Sequence, residues 1–279
     1  MLIALFPKVD KEESKRLALQ VIEFFSKKNI PIVVEDEKAE VLQAPLLSSI
    51  DPKDITFLIS MGGDGSILRI AHQYHHLNAA ILGINLGHLG FMADVQISEI
   101  IPGLEDLING NYTIQDRIMI EGKYENSPPF LAINDCVLHR ARNPSLVKFT
   151  VHIDGVFLNT IEADGLILAT PTGSTAYSLA AGGPILSPEI EAFVLTPICP
   201  HTISNRSLVL KSSHEITVEY ISHYNPIEIV ADGLHCFELQ TGGSIQLKRS
   251  SKKFKLVNLT RINFFSILRD KLGLTGKLR

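Results

Sequence analysis

The stretch ITFLISMGGDGSILRIA, residues 55–71, constrains the fold more than any other part of the chain. A short apolar run breaks at Gly62-Gly63-Asp64-Gly65 and resumes in a helix-like apolar pattern from Ile67 to about Tyr74. A strand that turns through glycine straight into a helix is half of a βαβ unit. The same rhythm surrounds it. Leu2–Phe6 reads as a buried parallel strand, and Lys11–Lys28 carries Leu17, Val21, Phe24 and Phe25 at helical spacing. Ile30–Val34 and Ala79–Asn85 read as further strands. A parallel sheet covered by helices is the expectation for this half.

The pattern changes after about residue 110. Tyr112–Tyr124, Phe130–Leu138, Phe149–Ile153, Leu166–Thr170, Glu215–Tyr220, Ile227–Val230, Ile245–Lys248 and Phe254–Val257 read as strands. Asp154-Gly155 and Asp232-Gly233 are hairpin signals. The last residues turn helical, with Phe264, Ile267, Leu268 and Leu272 at helical spacing. The predicted architecture is an α/β N-terminal domain with a parallel sheet (1–108), a β-rich, sandwich-like C-terminal domain (109–260), and a C-terminal helix (261–279) returning to the first domain.

Composition narrows the function classes. With 45% hydrophobic and 20% charged residues the chain has the makeup of a globular protein, and a formal charge of −4 supplies no basic field for nucleic acid or a membrane surface. The local cluster Lys248, Arg249, Lys252, Lys253 and Lys255 reads as a solvated strand and turn. Cys136, Cys199 and Cys236 are far apart, with no C-x-x-C, so neither a zinc site nor a disulfide framework is indicated; a reduced, cytoplasmic setting fits. The N-terminal apolar run is too short for a signal sequence, and no window is long and apolar enough to span a bilayer. His72, His75 and His76 share a predicted helix, but without a nearby carboxylate or thiol they read as solvated surface, and no metal ligand is named.

Four polar stretches carry the chemistry. Gly62, Gly63 and Gly65 either satisfy a strand–helix turn or admit phosphate to backbone N–H groups. Gly87 and Gly90 in INLGHLGFMAD follow the next strand and could line the same crevice. Asn134 and Asp135 interrupt an apolar run, as a strand end near water or as a buried hydrogen-bonding pair. Asp164–Pro188 is nearly all small or hydroxyl-bearing between Thr170 and Gly183, which suits ligand binding. The P-loop pattern, the dinucleotide G-x-G-x-x-G and the G-x-S-x-G elbow are all absent.

Taken together, GGDGS (62–66), GINLGHLGF (83–91), Asn134-Asp135 and DGLILATPTGSTAYSLAAGGPI (164–185) resemble the NAD kinase family in order and separation. The resemblance implies transfer of a phosphoryl group from ATP to the 2′-hydroxyl of the adenosine ribose of NAD. It also implies a divalent cation, Mg²⁺, carried as metal–nucleotide, and a homo-oligomer, dimer or tetramer. It assigns Asp64 as the base that takes the hydroxyl proton, with Gly62, Gly63 and Gly65 near the phosphates. It places Asn134, Asp135 and Asp164 on the dinucleotide, and Thr175, Ala176, Tyr177, Ser178, Leu179 and Ala180 along its site, Tyr177 being available for stacking. Glu162 and Cys199 follow by position alone, and the acid at 162 departs from a family position that is often basic. Two other readings compete: a lipid or sugar kinase with a similar glycine loop, which the TGSTAYSLAAGG segment disfavours, and a dinucleotide sensor, which would have no need of Asp64.

Overall fold

The computed structural model describes residues 1–273 except 88, 126, 202–205 and 223–224, and leaves the Asp94 side chain undescribed. His88 of the second glycine loop and residues 274–279 of the expected tail fall outside the described residues. The chain divides into two compact units, residues 1–116 with 255–279, and residues 117–254.

The first unit opens β1 (Ile3–Pro7), α1 (Glu12–Lys27), β2 (Ile32–Val34), α2 (Asp36–Leu42), β3 (Phe57–Gly62), α3 (Asp64–Gln73), β4 (Ala80–Asn85), β5 (Ala93–Val95) and α4 (Ile100–Asn109). Its strands pair in parallel in the order β2-β1-β3-β4, with β5 also parallel to β4. β1, β3 and β4 are buried along their whole length because helices cover both faces of a parallel sheet. α1 turns Leu17, Ala18, Val21 and Phe25 inward, one stripe at helical spacing, and carries Glu12 and Glu13 at its positive end and Lys27 at its negative end.

The second unit contains most of β6 (Tyr112–Tyr124), then β7 (Phe130–Ala132), β8 (Asp135–His139), β9 (Val147–Ile153), β10 (Val156–Ala163), β11 (Gly165–Ala169), α5 (Tyr177–Ala180), β12 (Ala192–Ile198), β13 (Leu208–Lys211), β14 (Ile216–Ile221), β15 (Ile227–Ala231), β16 (His235–Leu239) and most of β17 (Ser244–Leu259). One antiparallel layer runs β10-β9-β14-β17 and a second runs β13-β12-β11-β8-β15-β16. Alternate residues such as Phe149, Val151, Ile216, Val218, Leu166, Leu168, Phe193 and Leu195 form one core, as in a β-sandwich. The intervening residues of the second layer, Val137, Ile167, Ala169 and Val194, form another core with Leu186. The segment after β11 therefore covers the outer face of that layer, which is why β11 reads as an unbroken apolar run.

Both Asp-Gly pairs are hairpin turns with φ > 0 at each residue, +49° and +77° at Asp154-Gly155 and +52° and +68° at Asp232-Gly233. The expected strand Phe130–Leu138 is two strands, broken at Ile133-Asn134, whereas Ile245–Lys248 and Phe254–Val257 are one 16-residue strand. β12 escaped the sequence pattern because it contains Pro197; that proline lies past Leu195, the last residue paired with β13, where an N–H is not needed for that neighbour. After β17 the chain ends its described part in α6 (Phe264–Leu272), which belongs to the first unit and buries Ile267 there.

Candidate functional site

Asp64 is the first residue of α3, directly after the uncapped N-terminal position at Gly63. Its carboxylate does not face the helix. It reaches to the loop after β4, where Oδ2 accepts the Phe91 N–H at 2.8 Å and Oδ1 accepts those of Met92 at 3.0 Å and Ala93 at 2.9 Å. Gly90 makes this possible, since a Cβ there would lie 2.1 Å from Asp64 Oδ1. The loop is fixed from its other side by Asn85, buried at the end of β4, which accepts the Gly87 N–H at 2.7 Å and donates to the Ala93 carbonyl at 3.1 Å. A carboxylate offers about four acceptor positions. Among the described residues three are taken, and the remaining one is on Oδ2.

The glycines ahead of α3 divide into two kinds. A Cβ at Gly62 would meet Ser66 Oγ at 2.2 Å, so packing requires that glycine. Around Gly63 and Gly65 there is open space, and neither has positive φ. Nothing in the fold demands glycine at 63 and 65; what its absence of side chain leaves is an accessible backbone. Beside them the carboxyl ends of β1, β3 and β4 surround a cleft of about 300 Å³ lined by Lys8, Lys11, Ser14, Gly62, Gly63 and Asn85, among others. This is the end of a parallel sheet where open α/β folds hold ligands.

The second unit brings Asn134 and Asp135 together with the hydroxyl-rich segment. Asp232, at the β15–β16 turn, accepts three successive backbone N–H groups: Ile133 on Oδ2 at 2.7 Å, and Asn134 and Asp135 on Oδ1 at 2.7 and 3.1 Å. Gly173 lies against the Asn134 backbone so closely that a Cβ would sit 2.0 Å from its carbonyl oxygen. Asp135 is buried, and burial first and the Asp232 charge second push its carboxyl up to about 7, against a lowering hydrogen bond from the Tyr177 N–H. Among the described residues Asn134 Oδ1 is a buried acceptor with no donor. Tyr177 presents a 44% exposed ring at the start of α5.

Most hydroxyls of the segment turn inward and build it. Thr170 Oγ1 donates to the Ile133 carbonyl at 2.6 Å and accepts the Gly173 N–H at 3.1 Å. Ser174 Oγ donates to Pro171 and accepts from Leu186, and Thr175 Oγ1 donates to Thr172. Ser178 is fully buried against Thr196, 3.0 Å away. Thr175, Ala176 and Leu179 are half-buried and Ala180 is exposed.

Glu162, Asp164 and Cys199, also expected at the dinucleotide, lie at the other end of β11 from Asn134-Asp135. Asp135 pairs with Ala169 at one end of β11 and His139 with Gly165 at the other. Asp164 precedes that far end, roughly 17 Å along the strand from Ala169 at about 3.4 Å per residue. There it holds Arg140 in an ion pair of 2.7 Å, while the Asp164 N–H meets the Ile198 carbonyl just before exposed Cys199, and the Glu162 carbonyl accepts from His201. Sequence reasoning missed Asp232 and Asn85 as site builders. Asp232 was visible only as a hairpin residue, and Asn85 only as part of the GINLGHLGF motif.

Comparison with known proteins places the fold in a family. Residues 3–112 match the family model of the ATP-NAD kinase N-terminal domain and residues 133–259 that of the ATP-NAD kinase C-terminal domain. An NAD kinase of Protochlamydia amoebophila is 50% identical over 278 residues, covering 100% of both chains, and one of Natranaerobius thermophilus is 34% identical over 277, covering 97% of each. Among solved structures, yeast NADH kinase complexed with NADH superposes with a TM-score of 0.85 at 27% identity over 100% of this chain and 89% of that one. An Archaeoglobus fulgidus NAD kinase in complex with ATP gives 0.78 at 25% identity over 99% and 100%. With family models spanning most of its length and a half-identical relative matched end to end, the chain belongs to the NAD kinase family.

Proposed function

We propose that the chain transfers the γ-phosphoryl group of Mg·ATP to the 2′-hydroxyl of the adenosine ribose of NAD, with Asp64 as general base. The observation that carries the assignment is the open acceptor position on Asp64 Oδ2, next to the accessible backbone of Gly63 and Gly65. A ribose hydroxyl becomes a competent nucleophile as its proton leaves. The proton passes to Oδ2, the hydroxyl oxygen bonds to the γ-phosphorus, and the bond to the bridging oxygen of ADP breaks. The three N–H groups of residues 91–93 keep the carboxylate aimed and soften the charge it would otherwise present to phosphate.

Asn134, Asp135 and the half-buried face of residues 175–180 are the dinucleotide contacts in this reading, with Tyr177 as a stacking surface. The donorless Asn134 Oδ1 suits an amino or hydroxyl donor of the ligand, because leaving such an atom unpaired costs about 1–3 kcal/mol. The described residues contain no group of three or more His, Cys, Asp or Glu that could cage a metal, so Mg²⁺ is assigned to the substrate, held by phosphates and water. A cytoplasmic homo-oligomer, dimer or tetramer, is proposed with it.

The test is NADP formation from NAD and ATP with Mg²⁺, with NADH as an alternative acceptor, other triphosphates and polyphosphate as alternative donors, and sedimentation velocity on the same sample. Product from NAD and ATP is expected. Bound NAD without product under any donor or metal overturns the enzymatic reading in favour of a sensor.

A further inference from the structure

The C-terminal helix α6 has no part in the reaction above, yet it touches the loop that Asp64 holds. Phe91 donates its N–H to Asp64 Oδ2, while its half-buried ring leans on α6. The Phe264 ring lies 6.2 Å away centroid to centroid, tilted by 42°, and the Lys271 Nζ stands 4.4 Å from the Phe91 centroid. Residues 264, 267 and 271 fall on one helical face. Ile267 buries itself in the first unit, and Phe264 and Lys271, on either side of it, meet the same ring. The helix is itself secured: Asn263 Oδ1 accepts the Phe265 N–H at 2.8 Å, and Arg261 just before it pairs with Glu99 at 2.9 Å and with Asp106. The ring is thus tied to an anchored helix and the same residue's peptide to the carboxylate.

We propose that α6 is a positioning element for catalysis, with Phe264 and Lys271 setting the Phe91 ring and thereby the N–H groups that aim Asp64. The proposal rests on the reading of Asp64 as the base. Neither residue touches a reacting atom in this account. An aromatic pair and a cation over a ring are each weak near solvent, but a base displaced by a fraction of an ångström loses rate steeply.

The experiment uses the full chain as Phe264→Ala, Phe264→Tyr, Lys271→Met and Lys271→Arg, with amide hydrogen exchange and steady-state kinetics on each. For Phe264→Ala, faster exchange at Phe91–Ala93 is expected with unchanged exchange in β3. The kcat is expected to fall about 10-fold, with KM for NAD and ATP within about twofold of wild type. Lys271→Met shifts both readouts the same way by less, and Lys271→Arg and Phe264→Tyr restore them. Unchanged exchange at 91–93, faster exchange there with wild-type kcat, or equal acceleration throughout β3 would each overturn the proposal, the last by reducing α6 to general stability. If Asp64→Asn keeps turnover, the base assignment fails separately, and the exchange measurements still decide whether α6 holds the loop.

Discussion

Two aspartates, one in each unit, solve the same local problem for different ends. Asp64 accepts the N–H groups of residues 91–93 and Asp232 those of residues 133–135. Each bonds one N–H on Oδ2 and two on Oδ1; a glycine lies close by in both, Gly90 against Asp64 itself and Gly173 against the backbone of Asn134, which Asp232 holds. Three backbone donors on one carboxylate fix a loop that no regular ladder covers. The surroundings differ. Asp64 starts a helix beside open glycine backbone, whereas Asp232 faces a second, buried carboxyl, Asp135. The shared clamp teaches that a hydrogen-bond pattern alone does not separate the acid proposed as base from a scaffold acid; the reading of Asp64 rests on the space left around it.

Exchanging oxygen for an amide at each clamp is the sharpest way to separate them. Asp64→Asn is expected to lower kcat by about 10³-fold or more, within the range general bases contribute, with NAD binding measured by calorimetry largely kept. A turnover near wild type would make Asp64 a clamp like its counterpart. Asp232→Asn is expected to retain kcat within a few-fold. It should raise KM for NAD about 10-fold and lower unfolding free energy by about 1–3 kcal/mol in urea, because one of three N–H groups loses its acceptor. Turnover as low as in Asp64→Asn would erase the distinction.

The smallest effect concerns Asp135. Its carboxyl, raised to about 7 in the fold, binds its proton more tightly folded than unfolded. The sign follows: native protein holds more protons than unfolded between about pH 4 and 7, so stability falls as pH rises through that window and levels above it. Asp135→Asn removes the ionisation, and its melting temperature should exceed wild type by a few degrees at pH 8 while matching it near pH 4. Parallel melting curves for the two proteins across this range would show that Asp135 ionises as easily folded as unfolded.

The sequence carries the parts of this site that depend on side-chain identity. GGDG at the strand–helix junction and the segment around Thr170–Gly183 stand out because glycine and hydroxyl residues are unusual in such runs. The partners of Asp64 and Asp232 do not stand out, because they are backbone N–H groups, 27–29 and 97–99 residues away, and every residue but proline has one. The hydroxyls carry a second role that composition does not show: Ser174 bonds Leu186 and Ser178 lies against Thr196 of β12, structural contacts that a sequence cannot distinguish from contact with a ligand. Edge strands such as β10, mostly exposed, lack the burial signal that reveals central ones.

The first unit is discontinuous, and this has a bearing on synthesis. Its sheet gains the end of β17, with Leu256 opposite Ile81, and Lys255 Nζ meets Asn78 Oδ1 at 3.0 Å, 177 residues earlier in the chain. Closing a loop that long costs entropy before it returns any contact. On the ribosome, the unit bearing Asp64 emerges first but waits for the whole second unit to be translated before its sheet is complete. The partners of Phe91 arrive later still, so a nascent chain can display the GGDG loop long before it can hold it in working order.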